Sequence, residues 1–175
     1  MRVSVFLFAL CPVLPCAACG PPATDDAPRM DGGMTSAVIG ASGGTVTADD
    51  GTLVSIPPGA LTEDVTITIA ANPYAPTLTQ AQPLAVAHIF GPEGQKFLKA
   101  VSVTMEFDPA SLPSGATETG VSVYTAPSDS NFYESLPTAV ADSTHVTAQT
   151  TEFCNMLPGA NSGGTVQLNA PVRLH

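Results

Sequence analysis

From about residue 37 onward, short runs of alternating apolar and polar residues are separated by turn-forming residues. Val65-Thr66-Ile67-Thr68-Ile69 and Val101-Ser102-Val103-Thr104-Met105-Glu106-Phe107 send every second side chain to one face, the period of a half-buried strand. Val121-Ser122-Val123-Tyr124 repeats this pattern, and residues 146–153 follow it in part. Residues 44–47 and 52–56 flank Ala48-Asp49-Asp50-Gly51, a hairpin turn in which the glycine accepts a positive φ. Pro57-Pro58-Gly59 ends the second of these strands, because proline donates no hydrogen to a ladder. Residues 84–90 are apolar on both parities, which predicts a central strand covered on both sides. Residues 132–136 form a less regular strand. No amphipathic helical period occurs. Strands at roughly 8–12-residue spacing predict an all-β fold, an antiparallel β-sandwich of about 8–10 short strands.

Composition agrees with that pattern. Only 11% of the 175 residues are charged, and Thr, Ser, Gly, Pro, Val and Ala are abundant, which favours strands and turns over helices. The formal charge is −10, so nucleic acid and anionic headgroups are poor partners for the surface. Solubility is the simplest cause of the acidity. Residues 37–157 form the predicted sandwich, long enough for one sizeable core.

The amino-terminal segment predicts export. Met1-Arg2 gives a positive start, and residues 3–10 give an apolar run shorter than the roughly 20 residues that span a bilayer. Residues 1–18 are read as a signal peptide of lipoprotein type. Cys16-Ala17-Ala18-Cys19-Gly20 resembles a bacterial lipobox, with Cys16 where a large aliphatic residue is usual. Lipidation of Cys19 would make it the mature terminus and give the chain a membrane partner through its lipid. Residues 19–36 hold Pro, Asp, Gly and small residues with no apolar period, and are read as a flexible tether. Residues 158–175 are read as a tail, in which Thr165-Val166-Gln167-Leu168 could add an edge strand. The predicted location is outside the cytoplasm, on the outer membrane or cell surface. Processing would remove Cys11 and Cys16 and occupy Cys19, leaving Cys154 without an intramolecular disulfide partner.

Several pieces in order resemble the ZU-five domain of zonula occludens proteins, Unc-five-type netrin receptors and ankyrins. They are Gly43-Gly44-Thr45-Val46, then Gly51 through Ile56-Pro57-Pro58-Gly59-Ala60-Leu61. Phe90-Gly91-Pro92-Glu93-Gly94-Gln95-Lys96-Phe97-Leu98-Lys99-Ala100-Val101 and residues 146–153 follow. The resemblance implies a β-sandwich used for contact with another protein. It also implies that Leu61 is buried across its turn and that Phe97 and Leu98 tuck under a loop. Spectrin binding, known for ankyrins, does not transfer to an acidic, exported chain. Some ZU-five domains cut themselves at His-Phe-Ser; here Glu152-Phe153-Cys154 stands at what looks like that place. The resemblance thus makes Cys154 a candidate nucleophile toward the Phe153 carbonyl, although Glu152 replaces the polarising histidine.

Other candidate chemistry is sparse. Gly40-Ala41-Ser42-Gly43-Gly44 has the spelling of a hydrolase nucleophile elbow, but a hairpin follows where a helix is required. Asp49, Asp50, Asp108, Asp129 and Asp142 fall at predicted turns, where carboxylates also stabilise the turn itself. His88, His145 and His175 have no zinc-ligand spacing, and His88 is expected as a hydrogen-bonded histidine of a strand. The expectation is a non-enzymatic, lipid-anchored interaction module with no cofactor and an unknown protein partner. Its rivals are a self-cleaving domain using Cys154 and a calcium- or carbohydrate-binding sandwich.

Overall fold

The computed structural model describes residues 33–161, and these form two antiparallel sheets packed face to face. One sheet contains β1 (Thr35–Ile39), β4 (Val65–Ala71), β5 (Gln82–Pro83), β6 (His88–Gly91), β8 (Val121–Ala126), β9 (Glu134–Ser135) and β12 (Asn155–Ala160). Its order is β1-β4-β6-β12-β8-β9, with β5 also on β12. The other sheet has β2 (Gly44–Thr47), β3 (Leu53–Ile56), β7 (Lys96–Glu106), β10 (Thr138–Val140) and β11 (His145–Glu152), in the order β10-β11-β7-β3-β2. The helical elements among the described residues are two three-residue 3₁₀ turns, Pro109–Ser111 and Glu118–Gly120. The all-β sandwich read from the alternation is the observed fold.

Alternation explains the core directly. Val54, Ile56, Val101, Val103, Met105, Val146 and Ala148 point inward from the five-stranded sheet. Ile67, Ile69, Phe90, Val121, Val123 and Met156 meet them from the seven-stranded sheet. On the outer face of β7 and β11 the intervening residues Ser102, Thr104, Thr147 and Gln149 are polar, with Leu53 of β3 half-buried opposite Thr104. Thr104 and Thr147 lie opposite one another with hydroxyls 2.8 Å apart, and Gln149 donates to the Ser102 hydroxyl. The hairpin expected at residues 48–51 joins β2 to β3. The Gly51 amide donates to the Ala48 carbonyl, and Gly51 takes a φ of 87°.

Three local expectations are corrected. Residues 84–90 are not one strand: only His88–Gly91 pairs as β6, and residues 84–87 leave the ladder. Leu84 and Ala87 turn inward there while Ala85 and Val86 face solvent, so apolar character on both parities misread a bulged segment. Leu98 is 73% exposed, whereas Phe97 and Leu61 are buried as expected. In β7 these two neighbours point to opposite faces, so both cannot tuck under one loop. Among the described residues the first strand begins at Thr35 and the last ends at Ala160, so residues at the near ends of the expected tether and tail belong to the sandwich.

The central strand covered on both sides does exist, but it is β12, with sequence Asn-Met-Leu-Pro-Gly-Ala and every residue buried. It lies between β8 and the run formed by β5 and β6. Pro158 is tolerated because its own carbonyl, which accepts from the Leu84 amide, faces the place where residues 84–87 depart. A strand residue's N–H and C=O point the same way, so the donor that proline lacks falls at that break. At Gly159 an added Cβ would press on Leu78, the Gln82 carbonyl and Tyr124, so close approach requires glycine.

Phe153 sits between β11 and β12 and packs on Phe97, with ring centroids 4.7 Å apart, and on Phe90 at 5.7 Å. The three rings close one end of the core. Phe153→Ala is expected to lower unfolding free energy by about 3–5 kcal/mol, since the removed ring leaves a cavity. Urea unfolding would check this, and a loss below about 1 kcal/mol would contradict the packing described.

Candidate functional site

Two loops cross the outer face of the seven-stranded sheet and enclose a second, smaller core. Leu78 and Ala87 come from the loop at residues 72–87, and Tyr133 from the loop at residues 127–137. They pack on Tyr124, Ala126 and Leu157 of β8 and β12. Asn155, fully buried at the start of β12, ties the two loops together. Its amide nitrogen donates to the Ser128 hydroxyl at 2.8 Å, and its carbonyl oxygen accepts from the Asn72 amide at 2.8 Å. A buried amide left without partners would be costly, so this residue fixes both loops at once.

Each loop then carries its own anchors. The Asn72 amide donates to the Ala87 carbonyl, the Asn72 side chain accepts from the Tyr74 amide, and the Ala75 amide donates to the Asn72 carbonyl. In the other loop the Tyr133 hydroxyl donates to the Pro76 carbonyl, and Gln80 donates to the Tyr133 carbonyl. Glu93 accepts from the Ser128 amide at 2.6 Å, and the Ser130 hydroxyl accepts from the Phe132 amide. These rigid backbones present Tyr74, 92% exposed, and Phe132, 69% exposed, while neighbouring Tyr133 is buried. A groove of about 300 Å³ runs along Pro73, Pro76, Pro83, Val86 and Leu157; the chain neighbours of Tyr74, Pro73 and Ala75, line it, but Tyr74 itself does not.

The Phe153–Cys154 junction follows β11. The Phe153 carbonyl accepts from the Gly94 amide at 2.8 Å, and its amide donates to the Gln95 carbonyl. One backbone donor therefore already polarises the carbonyl that a self-cleaving thiol would attack. The thiol itself is poorly prepared: burial, then the charges of Glu152 and Glu93, push Cys154 above its ordinary value, against a hydrogen bond with Thr125. Since the thiolate is the nucleophile, these surroundings suppress its reactivity at neutral pH. Cys154 is half-buried and borders a second groove, of about 410 Å³.

The opposite end carries two His–Asp pairs. His88 is buried in β6, and its Nε2 lies 2.6 Å from Asp50 Oδ2 and 3.5 Å from the Thr52 hydroxyl. Its Nδ1 is buried without a partner. Burial pushes the Asp50 carboxyl up, but the Thr52 amide and the nearby His88 outweigh it and hold the carboxyl below its usual range. In a catalytic triad the carboxylate and the hydroxyl engage different ring nitrogens; here both stand at Nε2. The pair therefore braces the β2–β3 turn against β6. His145 Nδ1 lies 2.9 Å from Asp142 Oδ1 in the β10–β11 turn. A groove of about 440 Å³ is bordered there by Asp50, His88, Glu106 and Asp108 with Leu84 and Phe107.

The remaining candidates are dispersed. Asp108 caps the first 3₁₀ turn by accepting from the Ala110 amide and the Ser111 hydroxyl. Asp129 stands in the loop at residues 127–137. No group of three or more His, Cys, Asp or Glu side chains among the described residues is placed to hold a metal ion. Ser42 is exposed in the β1–β2 turn, followed by a strand and not by a helix. Cys19 and His175 lie outside the described residues. The sequence reading missed Asn155, Asn72, Tyr74 and Phe132 as site residues; the strand expected over residues 132–136 is only Glu134–Ser135, which leaves Phe132 outside the ladder. Comparison with family models and with curated proteins finds no match to this chain.

The Asp142 carboxylate accepts from the Thr144 amide and from the His145 ring, and these bonds hold it at about 2 against an ordinary 3.8. A depressed carboxylate contributes stability that is fully present above its unfolded pKa and is lost as pH falls through the folded one. Thermal unfolding followed from pH 5 to pH 2 should therefore show a steeper fall in Tm for the native chain than for Asp142→Asn, with the difference developing below about pH 4. Parallel curves for the two proteins would contradict this role.

Proposed function

We propose that this chain is a non-enzymatic surface interaction module, held on a membrane through lipid on Cys19, that docks another protein on the loop at residues 72–87. The carrying observation is Tyr74: an almost fully exposed aromatic on a backbone fixed by Asn72 and, through Asn155, by the central strand. A large amphipathic side chain on a pre-ordered loop costs little entropy to bury, which is why tyrosine is enriched at binding surfaces. Val86, 52% exposed, borders the groove lined by Pro73 and Ala75, the chain neighbours of Tyr74, and adds an exposed apolar side chain to the same loop. The resemblance to ZU-five domains, sandwiches used for contact between proteins, supports the same reading. So does the predicted export signal with its tether, which would carry the sandwich away from the bilayer surface.

Immobilised chain incubated with an envelope extract of its host, followed by quantitative mass spectrometry, tests the proposal. Specific proteins should be enriched over bare support, and the Tyr74→Ala/Val86→Ser double variant should retain about tenfold less of them. Both positions are exposed, so the variant should keep the native Tm. Equal enrichment by both chains, or none by either, would overturn the assignment.

A further inference from the structure

The groove beside Cys154 has a different chemistry from the one lined by the loop at residues 72–87. Its border includes the exposed ring of Phe132, the carboxylates of Glu134 and Glu152, and the hydroxyls of Thr125, Ser130 and Thr150. Its volume of about 410 Å³ falls within the range of small-molecule sites. Three independent features shape it. First, Phe132 is 69% exposed although its loop is fastened on both sides, by Tyr133 to Pro76 and by Ser128 to Asn155 and Glu93. An exposed apolar ring on a fastened loop offers a platform for an apolar face.

Second, the pairing of β11 with β7 breaks register between Thr150 and Glu152. Thr150 lies opposite Val101, but Glu152 lies opposite Lys96. Such an irregularity re-aims side chains at the edge of a sheet, and here both residues concerned border the groove. Third, neither Glu134 nor Glu152 is in an ion pair; among the described residues the ion pairs are those of His88 and His145. Two ionised carboxylates offer only acceptors, whereas the hydroxyls offer both donors and acceptors.

We propose that this groove binds a neutral oligosaccharide, one sugar ring stacking its C–H face on Phe132 while Glu134 and Glu152 accept from its hydroxyls. A pyranose ring is amphipathic in this same sense: an apolar face of C–H groups, and an edge of hydroxyl donors. The two carboxylates exclude uronic and other acidic sugars by like-charge repulsion, and Lys96, opposite Glu152, is the cation nearest in register. The site is separate from the Tyr74 loop, so it extends the docking proposal and does not depend on it. A surface module with both would hold a glycan and a protein at once.

Calorimetric titration of the full chain with cellohexaose, maltohexaose, chitohexaose and a polygalacturonate hexamer tests the site. At least one of the three neutral probes should bind, and the acidic one should not. Phe132→Ala should weaken that binding by about tenfold or more, Phe132→Tyr should retain it, and Glu134→Gln/Glu152→Gln should weaken it. Bound sugar should also slow alkylation of Cys154 by N-ethylmaleimide, because the thiol borders the same groove. Failure of all three neutral probes, binding of the acidic one, or affinity untouched by Phe132→Ala would overturn the proposal. So would calcium that binds alone and is lost with the double glutamine variant, since the carboxylates would then serve a cation.

Discussion

Asn155 is fully buried, and both hydrogen bonds of its side chain go to the two loops lying on the sheet, a polar tie added to the apolar contacts of Leu78, Ala87 and Tyr133. Its neighbours in β12 are held by the ladder to β8 and to β6, so the amide projects from the most constrained backbone of the sheet. Leu157 projects on the same side and gives those loops an apolar floor. Polar tie and apolar floor therefore come from one strand, two residues apart. Burying an amide is unfavourable without partners, and the partners exist only when both loops are in place. The outer face of the seven-stranded sheet is thereby converted from a flat sheet surface into grooves with fixed rims.

The two sheets consequently play unlike parts. The five-stranded sheet shows solvent small polar groups in β7 and β11, Ser102 to Gln149 and Thr104 to Thr147, with Leu98 exposed near the start of β7. The seven-stranded sheet is covered by two loops that expose one aromatic each, Tyr74 and Phe132, and bury Leu78 and Tyr133. The proposed binding surfaces thus fall on loops fixed to a scaffold, in keeping with the use of fixed scaffolds to position recognition residues. The His88–Asp50 pair serves the scaffold itself, locking the β2–β3 turn to β6 at the far end.

Much of the sandwich was legible because half-buried strands carry their burial in their alternation: Val101, Val103 and Met105 in β7, or Ile67 and Ile69 in β4, need no further information. The least legible strand was β12, the most buried of all. Its Pro158 and Gly159 are turn residues to a local reading, and they fit a strand only because residues 84–87 leave the ladder opposite and Leu78 comes close. Those are tertiary facts with no local trace. The candidate site was illegible for the same reason: Asn72, Ser128 and Asn155 are far apart in the chain, and each alone is an ordinary turn or strand residue. Cys154, by contrast, was visible as a cysteine beside Phe153, but its pKa is raised first by burial, then by Glu152 and by Glu93, and of these the burial and Glu93, 61 positions away, come from tertiary structure.

Amide hydrogen exchange on the native chain and on Asn155→Ala tests the central tie most directly. Loss of a doubly satisfied buried amide costs about 1–3 kcal/mol, so amides of residues 73–78 and 128–133 should exchange about five- to a hundredfold faster in the variant. Amides of β3, β7 and β11 should accelerate much less. Uniform acceleration across both sheets, or unchanged exchange in the two loops, would contradict the role given to Asn155.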